Sequence, residues 1–279
     1  MNGKDSLKKN AFLNAILRVS EFLFPLITFP YVSRILLAEG VGKVSFATSI
    51  ISYFLMFAML GIPTYGIREC AKVRDDKERL SRTVSELFTI NIIFGIITYV
   101  LFFIALFTVP RFYEDRVLFT VCSLTILFNC IGMEWLYQSL EMYRYITFRS
   151  LVFKAIAVIA MFVFIHKQSD YVIYGAITIF AVSASNILNF VSLRKLTGVR
   201  YGLRKWSEIR RHLKPVFIFF AMSCATTIYM SLDNVMLGFM RGDTEVGFYS
   251  TGVKIKVIMV SLVTSLGVVL LPRSSYYIE

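Results

Sequence analysis

Histidine is nearly missing from this chain. Two occur among 279 residues, His166 and His212, and neither stands in an acid–base, nucleophile or zinc-ligand spacing. Hydrolytic and metal-assisted chemistry therefore have no visible carrier. Cysteine is scarce as well: Cys70, Cys122, Cys130 and Cys224 form no CxxC pair, which points to packing rather than to disulfides or a metal site. No glycine-rich phosphate loop is present, so ATP-driven work is unsupported and no cofactor is expected. Charged residues amount to only 17%, against 57% hydrophobic, with a mean hydropathy of +0.67. An ordinary soluble domain is excluded.

What fills the chain instead is a series of long apolar runs. A membrane-crossing helix needs about 20 mostly apolar residues. Eight such runs are readable: Ala11–Leu37, Val41–Ile62, Val84–Val109, Val117–Gln138, Leu151–Ile165, Val172–Leu193, Pro215–Met240 and Val246–Leu271. The fold class expected is an all-α polytopic membrane protein of about eight transmembrane helices. The basic N-terminus runs straight into a full-length span, so it reads as a first transmembrane helix and not as a removed signal peptide.

The net charge of +12 is distributed unevenly. Lys and Arg crowd the N-terminus and the links at 63–83, 139–150 and 194–214, while the alternate links are short and carry few cations. The positive-inside rule places the N-terminus and the basic links in the cytoplasm. That bias accounts for most of the excess charge, so nucleic acid is discounted as a partner and lipid headgroups are favoured. The two long inner links read as short amphipathic surface helices.

Several charges fall inside the spans, where each costs roughly 2.5–3.5 kcal/mol unless it meets a partner or a cavity. For Arg34, Lys43 and Lys154, snorkelling to a membrane edge is as good a reading as function. Arg18 and Glu21 lie three apart on one helix face and so line a cavity or form a structural pair. Pro25 and Pro30 follow them, so a bend is expected there. Lys254 and Lys256 point to different sides of the last helix, and Asp233 sits within the seventh span as a charge balancer or a coupling carboxylate. Cations outnumber carboxylates inside the spans, which suits an anionic ligand such as a pyrophosphate.

Four stretches carry a family resemblance. They are Gly61-Ile-Pro-Thr-Tyr-Gly-Ile-Arg-Glu69, Glu134-Trp-Leu-Tyr-Gln-Ser-Leu-Glu141 through Thr147-Phe-Arg149, Asp233-Asn-Val-Met-Leu-Gly238 with Val246-Gly-Phe-Tyr249, and Leu271-Pro272. Together they resemble the Wzx-type polysaccharide and O-antigen repeat-unit flippases of the multidrug/oligosaccharidyl-lipid/polysaccharide superfamily. The resemblance implies two lobes of six helices that rock about a cationic cavity, and a polyprenyl-diphosphate-linked glycan as the cargo. It further implies a multi-pass place in the cytoplasmic (inner) membrane and polysaccharide polymerase machinery as a partner. By position it puts Arg18, Arg34 and Lys254 on the cavity, with Glu21 and Asp233 in coupling or charge balance. Arg68, Glu69, Glu134 and Arg149 become cytoplasmic gate or fold-bracing residues. Residues 1–200 would form the six-helix lobe and 201–279 the start of a second, so a truncated form is expected. The competing functions are a multidrug or cation antiporter of the same superfamily, which needs dominant carboxylates, and a membrane glycan-assembly enzyme, which needs a large outer loop. A non-enzyme transporter is expected.

Overall fold

A computed structural model describes residues 3–257, 259 and 260; the side chains of several residues near the N-terminus, Arg18 among them, lie outside those described. So do the end of the eighth run and the Leu271-Pro272 pair. Among the described residues the architecture is all-α, a bundle of long apolar helices, as composition requires: with no water in a bilayer core, backbone groups must be paired within each helix. The chain is a polytopic membrane protein.

Helix α1 (Gly3–Met59) carries the first two runs as two arms that meet at Leu37, where φ is 56° and ψ is −174°. Of the prolines at which a bend is expected, Pro25 and Pro30 both keep helical dihedrals, and the residue that leaves the helical region is Leu37, where the first run ends. The reason is geometric: proline's fixed φ is itself helical and costs one hydrogen bond, whereas a leucine at positive φ redirects the chain. Such a conformation costs on the order of 1–3 kcal/mol and persists only where packing holds it. Here the flanking Leu36 and Val41 are almost fully buried.

The surface helix α2 (Ile62–Lys72) follows, burying Ile62, Tyr65, Gly66 and Cys70 on one face. Asp76 caps α3 (Lys77–Thr108) by accepting from the Glu78 and Arg79 amides. A short α4 (Pro110–Glu114) leads to α5 (Arg116–Gly132). The fourth run breaks at Met133, which is left-handed, and resumes as α6 (Glu134–Ser139). The fifth run, short by hydropathy, is the interior of a 22-residue helix α7 (Tyr143–Phe164), so Arg149 lies on a helix and not in a link. The sixth is α8 (Tyr171–Ile179), a π-helical turn at Phe180–Ala184, and α9 (Ser185–Thr197). Helix α10 (Trp206–Met240) starts well inside the basic link and passes through Pro215. A further helix, α11, begins at residue 243 and is described to 257.

Both arms of α1 pack at the centre, against α3, α5, α7 and α10. Two separate apolar clusters form, one around Leu36, Phe46, Phe102 and Phe119, the other on the basic-link side around Leu60, Leu87, Leu136 and Ile209. Large apolar side chains such as Ile97, Ile104, Phe148, Ile159 and Ile218 face outward, as a bilayer solvent demands.

Two fastenings hold α10 and α11. On the basic-link side, fully buried Glu86 of α3 accepts from Arg82 Nε at 3.0 Å, from Arg211, and from His212 Nε2 at 2.7 Å. His212 Nδ1 meets the Tyr65 hydroxyl at 2.8 Å, so the imidazole bridges Glu86 and Tyr65. At the opposite end, Arg111 bonds Asp243 and Glu114. Burial disfavours the Arg111 charge, but the Asp243 bond and charge, with Glu114, outweigh it and raise the pKa. Beside that pair, backbones touch: a Cβ on Gly42 would lie 1.7 Å from the Asp243 carbonyl oxygen, and one on Gly247 would lie 1.8 Å from that of Ala38.

Replacing Glu86 by Ala strands a buried imidazole donor. It is expected to cost about 1–3 kcal/mol in detergent unfolding, with Glu86→Gln costing less because one acceptor remains. Gly247→Ala should lower the melting temperature clearly, while Gly252→Ala, which points into open space, should not. Equal melting of the two glycine variants would contradict the close backbone seat.

Candidate functional site

The polar side chains that the spans carry converge on two adjoining cavities. The larger, about 520 Å³, lies between the first arm of α1, α6, α7 and the α8–π–α9 span. Its ionisable lining is Glu21, Glu134, Arg149 and Lys154. Helical spacing explains the set: Ile146, Arg149, Ser150 and Lys154 form one stripe of α7, and Leu17, Glu21, Phe24 and Pro25 one stripe of α1. Arg149 is 4% exposed. It donates to Glu134 Oε2 at 2.9 Å and to the Ser185 carbonyl at 3.2 Å. Gln138 donates to the other oxygen of Glu134 at 3.3 Å. Lys154 Nζ donates to Ser20 Oγ at 2.9 Å, with the charges of Glu21 and Glu134 acting on it.

Behind this wall runs a string of amides. Asn186 donates to Asn129 at 3.4 Å and Asn189 to Asn186 at 3.3 Å, while the Tyr137 hydroxyl donates to the Asn189 carbonyl at 2.6 Å. The π turn at Phe180–Ala184 widens the sixth span where Ala181 and Val182 reach the cavity, a placement common to π segments at functional sites.

The second cavity, about 270 Å³, shares Phe24, Pro25 and Thr178 with the first. Ser45, Thr48 and Ser49 of the second α1 arm face Asn234 of α10 and Ser250 and Lys254 of α11. Ser45 and Ser250 bond at 3.1 Å, Asn234 and Ser49 at 3.1 Å, and Ser52 and Ser231 at 3.0 Å just beyond. Lys254 Nζ stands 4.4 Å from the Phe29 ring centroid, a cation–π contact. Among the described residues, no carboxylate lines this cavity.

The residues expected at a site therefore divide. Glu21, Glu134 and Arg149 meet in the larger cavity, and Lys254 lines the smaller. The Arg18 side chain lies outside those described. Arg34 is exposed and lines neither cavity. Asp233 is exposed and accepts from the Tyr249 hydroxyl, leaving its neighbour Asn234 on the cavity. Arg68 is exposed on α2, and Glu69 bonds Lys72 at 2.6 Å rather than Arg68. Arg149 and Glu134, expected as cytoplasmic gate or fold-bracing residues, are bonded to each other and line the larger cavity.

Sequence reasoning missed Lys154, Gln138 and the asparagines as cavity residues. For Lys154 the clue was present, since it falls on the same α7 stripe as Arg149. The amides had no such clue, because Asn129 and Asn186 come from helices whose adjacency the sequence does not state.

Accessibility checks the cavities. Gln138→Cys and Thr178→Cys, made with Cys224→Ser, should react with a small charged thiol reagent; Ile159→Cys, on the outward apolar face, should not. The other cysteines are buried. Equal labelling at all three sites would dispose of the assigned cavities.

No solved structure matches the chain. A protein of Escherichia coli (strain K12) named "Putative O-antigen transporter" is 25% identical over 272 residues, covering 98% of this chain and 66% of that protein. A protein of the same name from Shigella dysenteriae is 23% identical over 269 residues, covering 96% of this chain and 67% of that one. This chain thus spans about two-thirds of the length of the relatives it matches. Residues 7–277 match the family described as "Polysaccharide biosynthesis protein", and the chain belongs to that family.

Proposed function

We propose that the protein is a flippase that carries polyprenyl-diphosphate-linked oligosaccharide repeat units from the cytoplasmic to the outer leaflet of the inner membrane. The observation that carries this reading is the pair of adjoining cavities, each carrying polar and charged side chains, among helices whose outer faces are apolar. A polar headgroup needs such a lining, while a polyprenyl tail stays at home in the lipid. Lys254, alone among hydroxyls and amides, supplies the charge an anionic group requires. Arg18 adds to it from α1, and Arg34 guides the anion at the bundle surface. Glu21 and Asp233 balance or couple charge.

The N-terminus and basic links lie in the cytoplasm in this reading. Residues 1–200 act as one lobe against which the helices of 201–279 move, and the flipped unit passes to polymerase machinery outside. A transporter rather than an enzyme is the reading that the names of the similar proteins favour. A cation antiporter needs surplus negative charge, and the larger cavity matches its two carboxylates with Arg149 and Lys154.

Deleting the gene in its host should abolish surface polysaccharide and raise the cytoplasmic pool of diphosphate-linked repeat units, with both reversed on restoring it. Lys254→Gln should cut surface glycan about tenfold or more at unchanged membrane abundance, and Lys254→Arg should retain most of it. Arg18→Ala should behave like Lys254→Gln. An unaltered glycan after deletion would sink the flippase reading.

A further inference from the structure

The two cavities differ in sign, and that difference sorts the parts of a ligand. The larger is electrically balanced among the described residues, with Glu21 and Glu134 against Arg149 and Lys154. It offers an anion no net attraction and sets two carboxylates against it. The smaller holds one cation and no carboxylate among the described residues. Its remaining polar lining consists of hydroxyls and an amide, which donate to phosphate oxygens at no cost in opposing charge.

Building on the flippase reading, we infer that the cargo is divided between them: the diphosphate sits at Lys254, and the adjoining sugars occupy the balanced cavity as neutral, hydroxyl-rich groups. The chemistry of the larger wall fits a polyol. Sugar hydroxyls both donate and accept, and this wall presents fixed acceptors and donors side by side. Glu134 is held between Arg149 and Gln138, and Asn186 is held by Asn129, so these planar groups are oriented before any ligand arrives. The volume of about 520 Å³ lies within the usual range of small-ligand sites, about 300–1,000 Å³. Phe24, Pro25 and Thr178 line both cavities, so the two adjoin there, as one molecule with its sugar bonded directly to its phosphate requires. The assignment makes Gln138 and Asn186 determinants of glycan specificity and Lys254 indifferent to which glycan is carried.

The test is calorimetric titration of the purified chain with two separate probes: inorganic pyrophosphate, and the reducing oligosaccharide released by mild acid from the host's own polysaccharide. Gln138→Ala should weaken the oligosaccharide about tenfold and leave pyrophosphate unchanged; Lys254→Gln should do the reverse. Where Gln138→Ala loses both probes through misfolding, Asn186→Ser takes its place. Trp135 lines the larger cavity, and Trp206 is exposed at the start of α10. In a Trp206→Phe background the emission of Trp135 should therefore shift with oligosaccharide and not with pyrophosphate. The division is overturned by a wild-type chain that fails to bind the oligosaccharide, by loss of oligosaccharide affinity with Lys254→Gln alone, or by a Trp135 shift driven by pyrophosphate. Any of these leaves flipping itself to stand on the deletion and restoration result, which reads transport wherever the sugars sit.

Discussion

A bilayer offers no water to a polar group, so every such group within a span must find its partner inside the protein or line a wet space. That constraint orders the whole molecule. Backbone groups are settled within helices. Side-chain groups are drawn to the helix interfaces, where Asn129, Asn186 and Asn189 hand hydrogen bonds to one another and Arg149 reaches both Glu134 and a backbone carbonyl. The outward faces are left to Ile, Leu, Val and Phe. The cavities are thus the place where polar side chains that cannot all be paired at close packing are tolerated.

Irregular backbone gathers at the same places for the same reason. Met133 breaks the fourth span directly before Glu134, which lets α6 turn Glu134, Trp135 and Gln138 toward the larger cavity. The π turn of the sixth span lies across from them. Leu37 separates the two arms of α1, so that one arm lines the larger cavity with Leu17 and Glu21 and the other lines the smaller with Ser45 and Ser49. A straight helix of that length would present both sets on a single rod and could not wrap two compartments.

The spans were legible because hydropathy reads length and polarity directly, and the alternation of basic links told which ends lie together. The place where the two arms of α1 meet was legible, since the first run ends at Leu37 and the second begins at Val41; the positive φ of Leu37 was not, because neighbours far along the chain impose it. Glu86 and His212 are 126 residues apart, so their pairing has no local trace. The same holds for Gly42 and Gly247, whose smallness looks unremarkable until the two backbones are seen to touch. Of the site, the charged members stood out by their cost in an apolar run. Neutral donors such as Gln138 and Asn186 carry no such penalty and so left no mark.

Magnitudes separate Arg149 and Lys154, which the chain has already provided for, from Lys254. Arg149 is bonded to Glu134 and to a carbonyl, and Lys154 has Ser20 at hydrogen-bond distance with two carboxylates near it. Lys254 has the face of Phe29, a contact worth about 0.5–2 kcal/mol. A cation deep in a span costs roughly 2.5–3.5 kcal/mol, so the ring offsets only part of it. In the proposed reading an anion at Lys254 makes up the remainder, whereas one at Arg149 has first to displace the carboxylate of Glu134. The proposed placing of a diphosphate in the smaller cavity rests on that difference, without any requirement that the smaller cavity be the better shaped.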